Sequence, residues 1–108
     1  MADYLQIVTT TENKAEAERI ARLLIEGSLA ACVQIVGPIT STYSWKGRIE
    51  TAEEWQCLIK TRADLFGEVE RSIKSIHSYE TPEIIALPIR TGSREYLDWM
   101  EEVLPPIT

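Results

Sequence analysis

Hydrophobic and polar positions follow two periods along the chain, one typical of strands and one of helices. An apolar and β-branched run over residues 4–10 predicts a strand. Asn13 followed by Glu16 is typical of a helix start, with an N-cap and a glutamate three residues later. Apolar residues then recur at helical spacing as far as Gly27, a residue that favours helix ends. We therefore expect a helix over residues 14–26 that packs on a sheet.

The central segment, residues 31–60, has the pattern of one long two-stranded ribbon. Apolar or aromatic side chains alternate with hydroxyl side chains in its first arm, which is the period-two pattern of a strand. Lys46 and Gly47 supply the turn. Gly37 and Pro38 interrupt ladder pairing, and we interpret them as a bulge within the arm.

Three further segments complete the predicted order. Asp64 is the expected cap of a second helix, whose apolar residues repeat as far as Ile76. Residues 83–89 are nearly all apolar, which predicts a strand covered on both faces. Pro88 lacks an amide hydrogen, so this strand should lie near a sheet edge. Ser93 is expected to cap a last helix.

The predicted element order is β-α-β-β-α-β with an additional C-terminal helix. Right-handed crossovers place both main helices on one face of an antiparallel sheet. We predict a ferredoxin-like sandwich of the α/β (α+β) class with an extended β2-β3 hairpin. The prediction is a single domain over residues 1–108, since a chain of this length builds one core.

The length of the first ribbon arm, residues 31–45, predicts an oligomer. Fully extended, the arm reaches about 45–50 Å at about 3.3 Å per residue, whereas a chain of this size has a radius of gyration of about 13 Å. The ribbon should overhang its own helices and expose its edges together with Tyr43, Trp45 and Trp55, which favours association. The alternative is that the Gly-Pro pair divides the arm into two short hairpins over a monomeric core.

Charge and composition argue against several classes of partner. The formal net charge of −6 disfavours nucleic acid, which requires clustered Lys and Arg. No apolar stretch approaches the roughly 18 residues of a membrane span, and no leader pattern opens the chain, so we expect a cytoplasmic protein. Cys32 and Cys57 are too few for a disulfide scaffold and are expected to be reduced thiols.

Catalytic motifs do not stand out. The sequence contains no Gly-rich phosphate loop, His-Glu-x-x-His, nucleophile elbow or Cys-x-x-Cys. The one histidine, His77, leaves little general-base capacity near neutral pH. We predict that the protein is not an enzyme.

Candidate ligand-binding residues centre on His77. It can join Glu80, Glu83 or Cys32 in a metal site, although transition-metal sites usually take three or four converging donors. The alternative is a histidine that is hydrogen-bonded at a subunit boundary. Lys60 lines a small pocket beside a carboxylate or forms an interface salt bridge, and the salt bridge is favoured. The aromatic side chains of the ribbon are interpreted as interface packing rather than ligand stacking.

Three segments, in their order and spacing, resemble the CutA family of divalent-cation tolerance proteins: SLAACVQIVGPITSTYSWKGRIETAEEWQCLIKT, HSYETPEIIALPI and REYLDWM. The resemblance implies a tight homotrimer whose hairpins pair across subunits, similar to the nitrogen-regulatory PII signalling proteins. It also implies a link to copper and other divalent metals. The residues on the shared pattern are Cys32, Tyr43, Trp45, Glu54, Lys60, His77, Tyr79, Glu80, Pro82, Glu83, Tyr96 and Trp99.

Two departures from that pattern bear on copper. In some family members a cysteine ends the first strand, and two adjacent histidines precede a Pro-Tyr pair. Here the strand carries Val8 and Thr9, Ile76 stands before His77, and Ser78 follows it. The copper site that the resemblance implies is therefore incomplete in this chain.

Two main function hypotheses follow. The first is a non-enzymatic homotrimer for divalent-cation tolerance, with copper among the metals and His77, Glu80, Glu83 and Cys32 as ligands. The second is a PII-like signalling module that binds a small anionic metabolite through Lys60 and Arg residues and acts through a partner protein that the hairpin meets. A scaffold whose assembly is its function is a third. The cleft between subunits is expected to contain Tyr43, Trp45, Glu54, Lys60, Tyr79, Tyr96 and Trp99.

Overall fold

In the computed structural model, which describes residues 3–107, four strands form one antiparallel sheet accompanied by three helices. The strands are β1 (Tyr4–Thr11), β2 (Cys32–Trp45), β3 (Arg48–Arg62) and β4 (Ile84–Ile89). The helices are α1 (Lys14–Glu26), α2 (Phe66–Ile76) and α3 (Arg94–Val103). The sheet order β2-β3-β1-β4 is that of a ferredoxin-like sandwich, which confirms the predicted fold.

The hydrophobic core lies between the sheet and the two helices α1 and α2. Ile20 and Leu24 of α1 and Ile73 of α2 are fully buried against Ile7 of β1 and Ile59 of β3. Burying a side chain of this size contributes about 1.5–3 kcal/mol, so this layer accounts for much of the fold's stability. Both main helices thus cover the same sheet face, as predicted.

Of the two residues in the predicted capping motif of α1, only Asn13 caps the helix. Asn13 accepts a hydrogen bond from the Glu16 backbone N–H at 2.8 Å, and the helix spans the predicted Lys14–Glu26. The Glu16 carboxylate, however, is buried and binds Ser78, far along the chain. The glutamate of the predicted capping motif therefore makes a long-range contact instead of a local one.

The start of α2 differs from the prediction. The chain makes a 3-10 turn over Ala63–Leu65, and α2 begins at Phe66 without a side-chain cap. The prediction that Asp64 caps this helix is wrong because its carboxylate accepts from Arg62 Nη2 at 3.1 Å.

Arg62 is a buried cation that joins both ends of the fold. Its Nη1 donates to Glu101 Oε1 of α3 at 2.8 Å, and its Nη2 donates to the Pro105 carbonyl at 2.6 Å. Tyr4 of β1 donates to the other oxygen of Glu101 at 2.6 Å. Beside the guanidinium, the pKa of the Asp64 carboxyl lies below its usual range. The last helix and the segment after it are thereby fixed to the first and third strands.

The β2-β3 ribbon overhangs the sheet as one continuous element. Strand β3 pairs with β1 only from Trp55 to Arg62. Its earlier residues, 48–54, pair only with β2. The register shifts between Val36 and Ile39, which confirms the bulge at the Gly-Pro pair. The molecule measures 44 × 26 × 21 Å with a radius of gyration of 14.5 Å. The alternative of two short hairpins is therefore wrong, and we call residues 39–54 the distal ribbon.

Strand β4 lies at a sheet edge, as Pro88 predicted, but this chain does not cover both of its faces. Ile84 packs against the core, whereas Ile85 and Leu87 are 49% and 48% exposed. A two-layer sandwich covers one sheet face, so alternate residues of an apolar strand remain open on the other. The prediction of a fully covered strand is wrong for the single subunit.

Candidate functional site

A cleft of about 760 Å³ opens between the distal ribbon and the loop over residues 77–83, which joins α2 to β4. We call that segment the cleft loop. A volume of this size is typical of sites for small ligands. The cleft is lined by Thr10, Ser41, Thr42, Tyr43, Trp45, Glu54, Ser78, Tyr79, Glu80, Thr81, Pro82 and Glu83.

The ribbon places aromatic and acidic side chains on the same wall of the cleft. Ile39 lies directly opposite Glu54 in the antiparallel ladder, so these two share one face of the ribbon. Tyr43 and Trp45 follow Ile39 by four and six residues and lie on that face too. The period-two pattern of the sequence thus sets which residues the ribbon offers to the cleft.

Tyr79 of the cleft loop connects the two walls. Its hydroxyl donates to Glu54 Oε2 at 2.7 Å. Burial, followed by this hydrogen bond, raises the pKa of Tyr79 above its ordinary value, so the phenol stays protonated and remains a donor. The bond fixes the cleft loop to the ribbon over a sequence separation of 25 residues.

The cleft carries uncompensated negative charge. Burial raises the pKa of the Glu83 carboxyl, and the nearby charge of Glu54 raises it further. Glu80 adds a third carboxyl group to the lining. None of the lining residues in the described part of the chain is Lys, Arg or His. Carboxylates that are close together and partly desolvated favour a bound cation, which relieves their repulsion.

His77 lies beneath the cleft and has both ring nitrogens occupied. Its Nε2 donates to the Thr10 carbonyl oxygen at 2.8 Å, and its Nδ1 accepts the Tyr79 backbone N–H at 3.0 Å. The ring is 1% exposed. These partners define the neutral tautomer with hydrogen on Nε2. In this state His77 has no free lone pair for a metal and acts to hold the cleft loop.

Glu16 of α1 secures the same loop, and its Oε2 lies 3.6 Å from His77 Nδ1. Its Oε2 accepts the Ser78 N–H at 2.7 Å, and its Oε1 accepts the Ser78 hydroxyl at 3.0 Å. Sequence reasoning missed this role of Glu16. A signal existed, because Glu16 precedes the buried Ile20 and Leu24 by four and eight residues and therefore lies on the inward stripe of α1.

A second group of predicted residues lies elsewhere, at the base of the ribbon. Cys32 and Lys60 lie opposite each other in the ladder, and Lys60 Nζ donates to Gln34 Oε1 at 2.6 Å. Burial, followed by the nearby Cys32 side chain, raises the pKa of the Tyr96 phenol, and the Tyr96 ring lies 5.5 Å from that of Trp99. None of these residues lines the cleft. The structure thus brings Tyr43, Trp45, Glu54 and Tyr79 together and separates them from Cys32, Lys60, Tyr96 and Trp99.

The four residues proposed as metal ligands do not converge in one chain. Glu80 and Glu83 line the cleft, His77 is enclosed beneath it, and Cys32 is at the ribbon base. Within residues 3–107, no three His, Cys, Asp or Glu side chains are placed to hold a metal ion together. Any cation held by one subunit here would rely on carboxylate oxygens.

The fold and the cleft together define a ferredoxin-like protein with an acidic, aromatic-walled cleft beside an overhanging ribbon. The family model described as CutA1 divalent ion tolerance protein matches residues 5–103. The chain belongs to the CutA1 family. This confirms the resemblance seen in the sequence. Across residues 3–107, no helix has the length and apolar character needed to cross a membrane.

Two relatives match this chain over nearly their whole length. The divalent-cation tolerance protein CutA of Archaeoglobus fulgidus is 48% identical over 98 residues, which cover 91% of this chain and 95% of that protein. The protein of the same name from Thermus thermophilus is 43% identical, covering 89% of this chain and 93% of that one. The solved Thermus thermophilus structure superposes with a TM-score of 0.92 at 40% identity, covering 94% and 99% of the two chains.

Proposed function

We propose that this chain acts in divalent-cation tolerance as a non-enzymatic homotrimer that binds cations through the carboxylates of its cleft. The family supports a role in metal tolerance. The cation-binding step rests on one observation. Glu54 and Glu83 lie near each other in a cleft that no basic side chain of the described residues lines. Oxygen donors of this kind suit hard divalent cations.

The exposed apolar surface supports assembly of several copies. Ile49 on the distal ribbon is 83% exposed, and Ile85 and Leu87 leave one face of β4 open. Within residues 3–107, no further strand pairs with the outer edges of the distal ribbon, and unpaired strand edges favour pairing with another chain. Three copies is the number that the family resemblance implies.

The contacts of His77 and Cys32 favour oxygen-bound cations over copper. Copper in its soft sites takes thiolate and imidazole ligands. In this chain the imidazole is hydrogen-bonded at both nitrogens, and the thiol of Cys32 lies with Tyr96 away from the cleft. A copper site through these two residues would require Cys32 from another subunit and a rearranged His77.

Two measurements test the proposal. Light scattering should give a mass near three times 12.3 kDa. Calorimetric titration with Mn(II), Zn(II) and Cu(II) should show binding that Glu83→Gln weakens by about tenfold, the effect of removing one charged ligand. Glu53→Gln, on the ribbon face opposite to Glu54, serves as the control and should leave the affinity unchanged. A monomeric mass refutes the trimer, and equal affinity in the two variants refutes the cleft as the site.

The signalling alternative receives less support from the cleft. Its negative lining opposes an anionic metabolite, and Lys60, the expected anion ligand, bonds to Gln34 outside it. A protein partner at the exposed ribbon tip stays a prediction, and so does the cytoplasmic location. The solved Archaeoglobus fulgidus relative is described as periplasmic, so fractionation of the native host is the experiment that decides the location.

A further inference from the structure

The aromatic wall of the cleft has no explanation in divalent-cation binding. Tyr43, Trp45 and Tyr79 contribute three rings to a lining whose charged groups are carboxylates only. A hard metal ion uses oxygen donors and retains part of its water shell, so it gains little from ring faces. Organic cations do gain, because the face of an aromatic ring is electrostatically negative.

Glu54 offers an oxygen to whatever occupies the cleft. The residue is only 6% exposed, and Tyr79 takes one of its two carboxylate oxygens, Oε2. Among the described residues, no hydrogen bond reaches Oε1 of Glu54, and this oxygen is not one of the fully enclosed atoms. Glu54 lines the cleft, so its open acceptor belongs to this site. A buried carboxylate with an open acceptor is incomplete without a donor.

At the ribbon tip, the ring of Trp45 already has an ammonium group as a neighbour. The Nζ of Lys46 lies 5.6 Å from the centroid of the Trp45 ring, a distance typical of a cation–π contact. Lys46 belongs to the turn and does not line the cleft, so the charges of Glu54 and Glu83 remain uncompensated.

We propose that the cleft binds a primary alkylammonium ion, whose ammonium group donates to Glu54 Oε1 and whose alkyl chain lies against Tyr43 and Trp45. The inference rests on the cleft of the proposed function and requires neither metal tolerance nor a particular metal. It names a cation class that the carboxylates and the rings recognise together, whereas a divalent metal uses the carboxylates alone.

The first test compares a charged and a neutral ligand of the same shape. Butylammonium and 1-butanol are titrated into the intact oligomer by calorimetry, with intrinsic tryptophan fluorescence as a second signal. Butylammonium should bind and 1-butanol should not bind measurably. Equal binding of the two ligands overturns the proposal. An absence of butylammonium binding also overturns it, and this result is expected if a basic side chain of a neighbouring subunit fills the cleft.

The second test separates the rings from the carboxylates. Trp45→Leu should weaken butylammonium binding by about two- to fivefold, the share of one cation–π contact, and leave Mn(II) binding unchanged. Trp99→Leu, which alters an exposed aromatic outside the cleft, is the matched control. If Trp45→Leu and Trp99→Leu behave alike, the aromatic wall has no part in recognition and the inference fails.

The third test concerns the acceptor oxygen. Glu54→Gln keeps an oxygen for Tyr79 and removes the charge, and it should weaken butylammonium by about tenfold relative to Glu53→Gln. Glu83→Gln provides a second charge variant in case Glu54→Gln does not fold. Unchanged butylammonium affinity in these variants overturns the inference. If the unmodified protein binds butylammonium but does not bind Mn(II), the proposed metal function is overturned and this inference is not.

Discussion

The indole ring of Trp55 occupies the space into which a side chain at Gly37 would project. A Cβ atom built on Gly37 would lie 2.7 Å from Cδ2 of that ring, closer than carbon atoms approach in folded proteins. The bulge in β2 therefore lies directly against an aromatic residue of β3, and glycine is required there for space.

Gly37→Ala is expected to lower the free energy of unfolding by about 1–3 kcal/mol, because the added methyl forces Trp55 or the bulge to move. Gly67→Ala is the matched control. Its Cβ would meet only Arg71 Nη1 at 3.5 Å, and alanine in a helix is favoured over glycine by about 0.5–1 kcal/mol. Urea denaturation of both variants should give shifts of opposite sign. A Gly37→Ala protein as stable as the parent would show that the ring yields freely.

Arg62→Ala should destabilise the fold by about 3 kcal/mol, because it removes a buried cation and its bonds to Asp64, Glu101 and Pro105. Arg22→Ala, which breaks only the surface pair with Glu26, should cost less than about 1 kcal/mol. Thermal unfolding measures both. Similar losses in the two variants would contradict the assignment of Arg62 as the residue that fixes α3.

Arg62 also sets part of the response to acid. The pKa of Asp64 is lowered in the folded chain, chiefly by its hydrogen bond to Arg62, so the ionised carboxylate stabilises the fold above its ordinary pKa. This stability is lost as the pH falls through the lowered folded value. The dependence of stability on pH in this acidic range should be weaker in Asp64→Asn than in the parent.

We expect His77 in solution to be the tautomer with hydrogen on Nε2, since Thr10 supplies an acceptor to that nitrogen and Tyr79 a donor to the other. Nitrogen-15 NMR of the labelled imidazole distinguishes the two tautomers directly. Addition of Zn(II) should leave these signals in place. A shift of either ring nitrogen on stoichiometric Zn(II) would return His77 to the set of metal ligands.

Cation binding in the cleft should weaken as the solution becomes more acidic, and at a higher pH than an ordinary glutamate would require. Burial and the charge of Glu54 raise the pKa of Glu83, so Glu83 takes up its proton early and loses its attraction for a cation. The same shift means that ionisation of Glu83 destabilises the fold as pH rises through the raised value. Calorimetry with Mn(II) across this range checks the first effect, and Glu83→Gln should flatten it.

Cys57 should resist thiol reagents in the folded protein. Burial, followed by the charge of Glu16, raises the pKa of Cys57 to about 11, and its thiol contacts the Ala17 carbonyl at 3.6 Å. In a Cys32→Ser variant, labelling by iodoacetamide near neutral pH should occur only as fast as the chain unfolds. Labelling that is complete within the mixing time under native conditions would contradict this burial.

Local pattern was sufficient to predict the fold because each strand and helix has a clear period, and the structure places α1 on the predicted residues. Pattern failed where a side chain had two possible partners. Asp64 and Glu16 each occupy a position suited to helix capping, but Asp64 pairs with Arg62 just before it, and Glu16 binds Ser78 at a sequence separation of 62 residues. Long-range partners depend on the finished packing.

The cleft was only partly predictable from the sequence. The family resemblance singled out Tyr79 and Glu54 among its shared residues, and the structure joins them with a hydrogen bond. It also singled out Cys32 and Lys60, which the ladder places opposite each other at the other end of the ribbon. A shared pattern identifies residues under a common constraint, but only the strand register decides which of them meet.

The cleft loop has a consequence for hydrogen exchange. The amide hydrogens of Ser78 and Tyr79 belong to no helix or strand, yet each has an acceptor on a buried side chain, Glu16 and His77. These two amides should exchange with deuterium on the timescale of the core rather than that of surface loops. In the proposed cation site, this wall would thus be preorganised for its ligand.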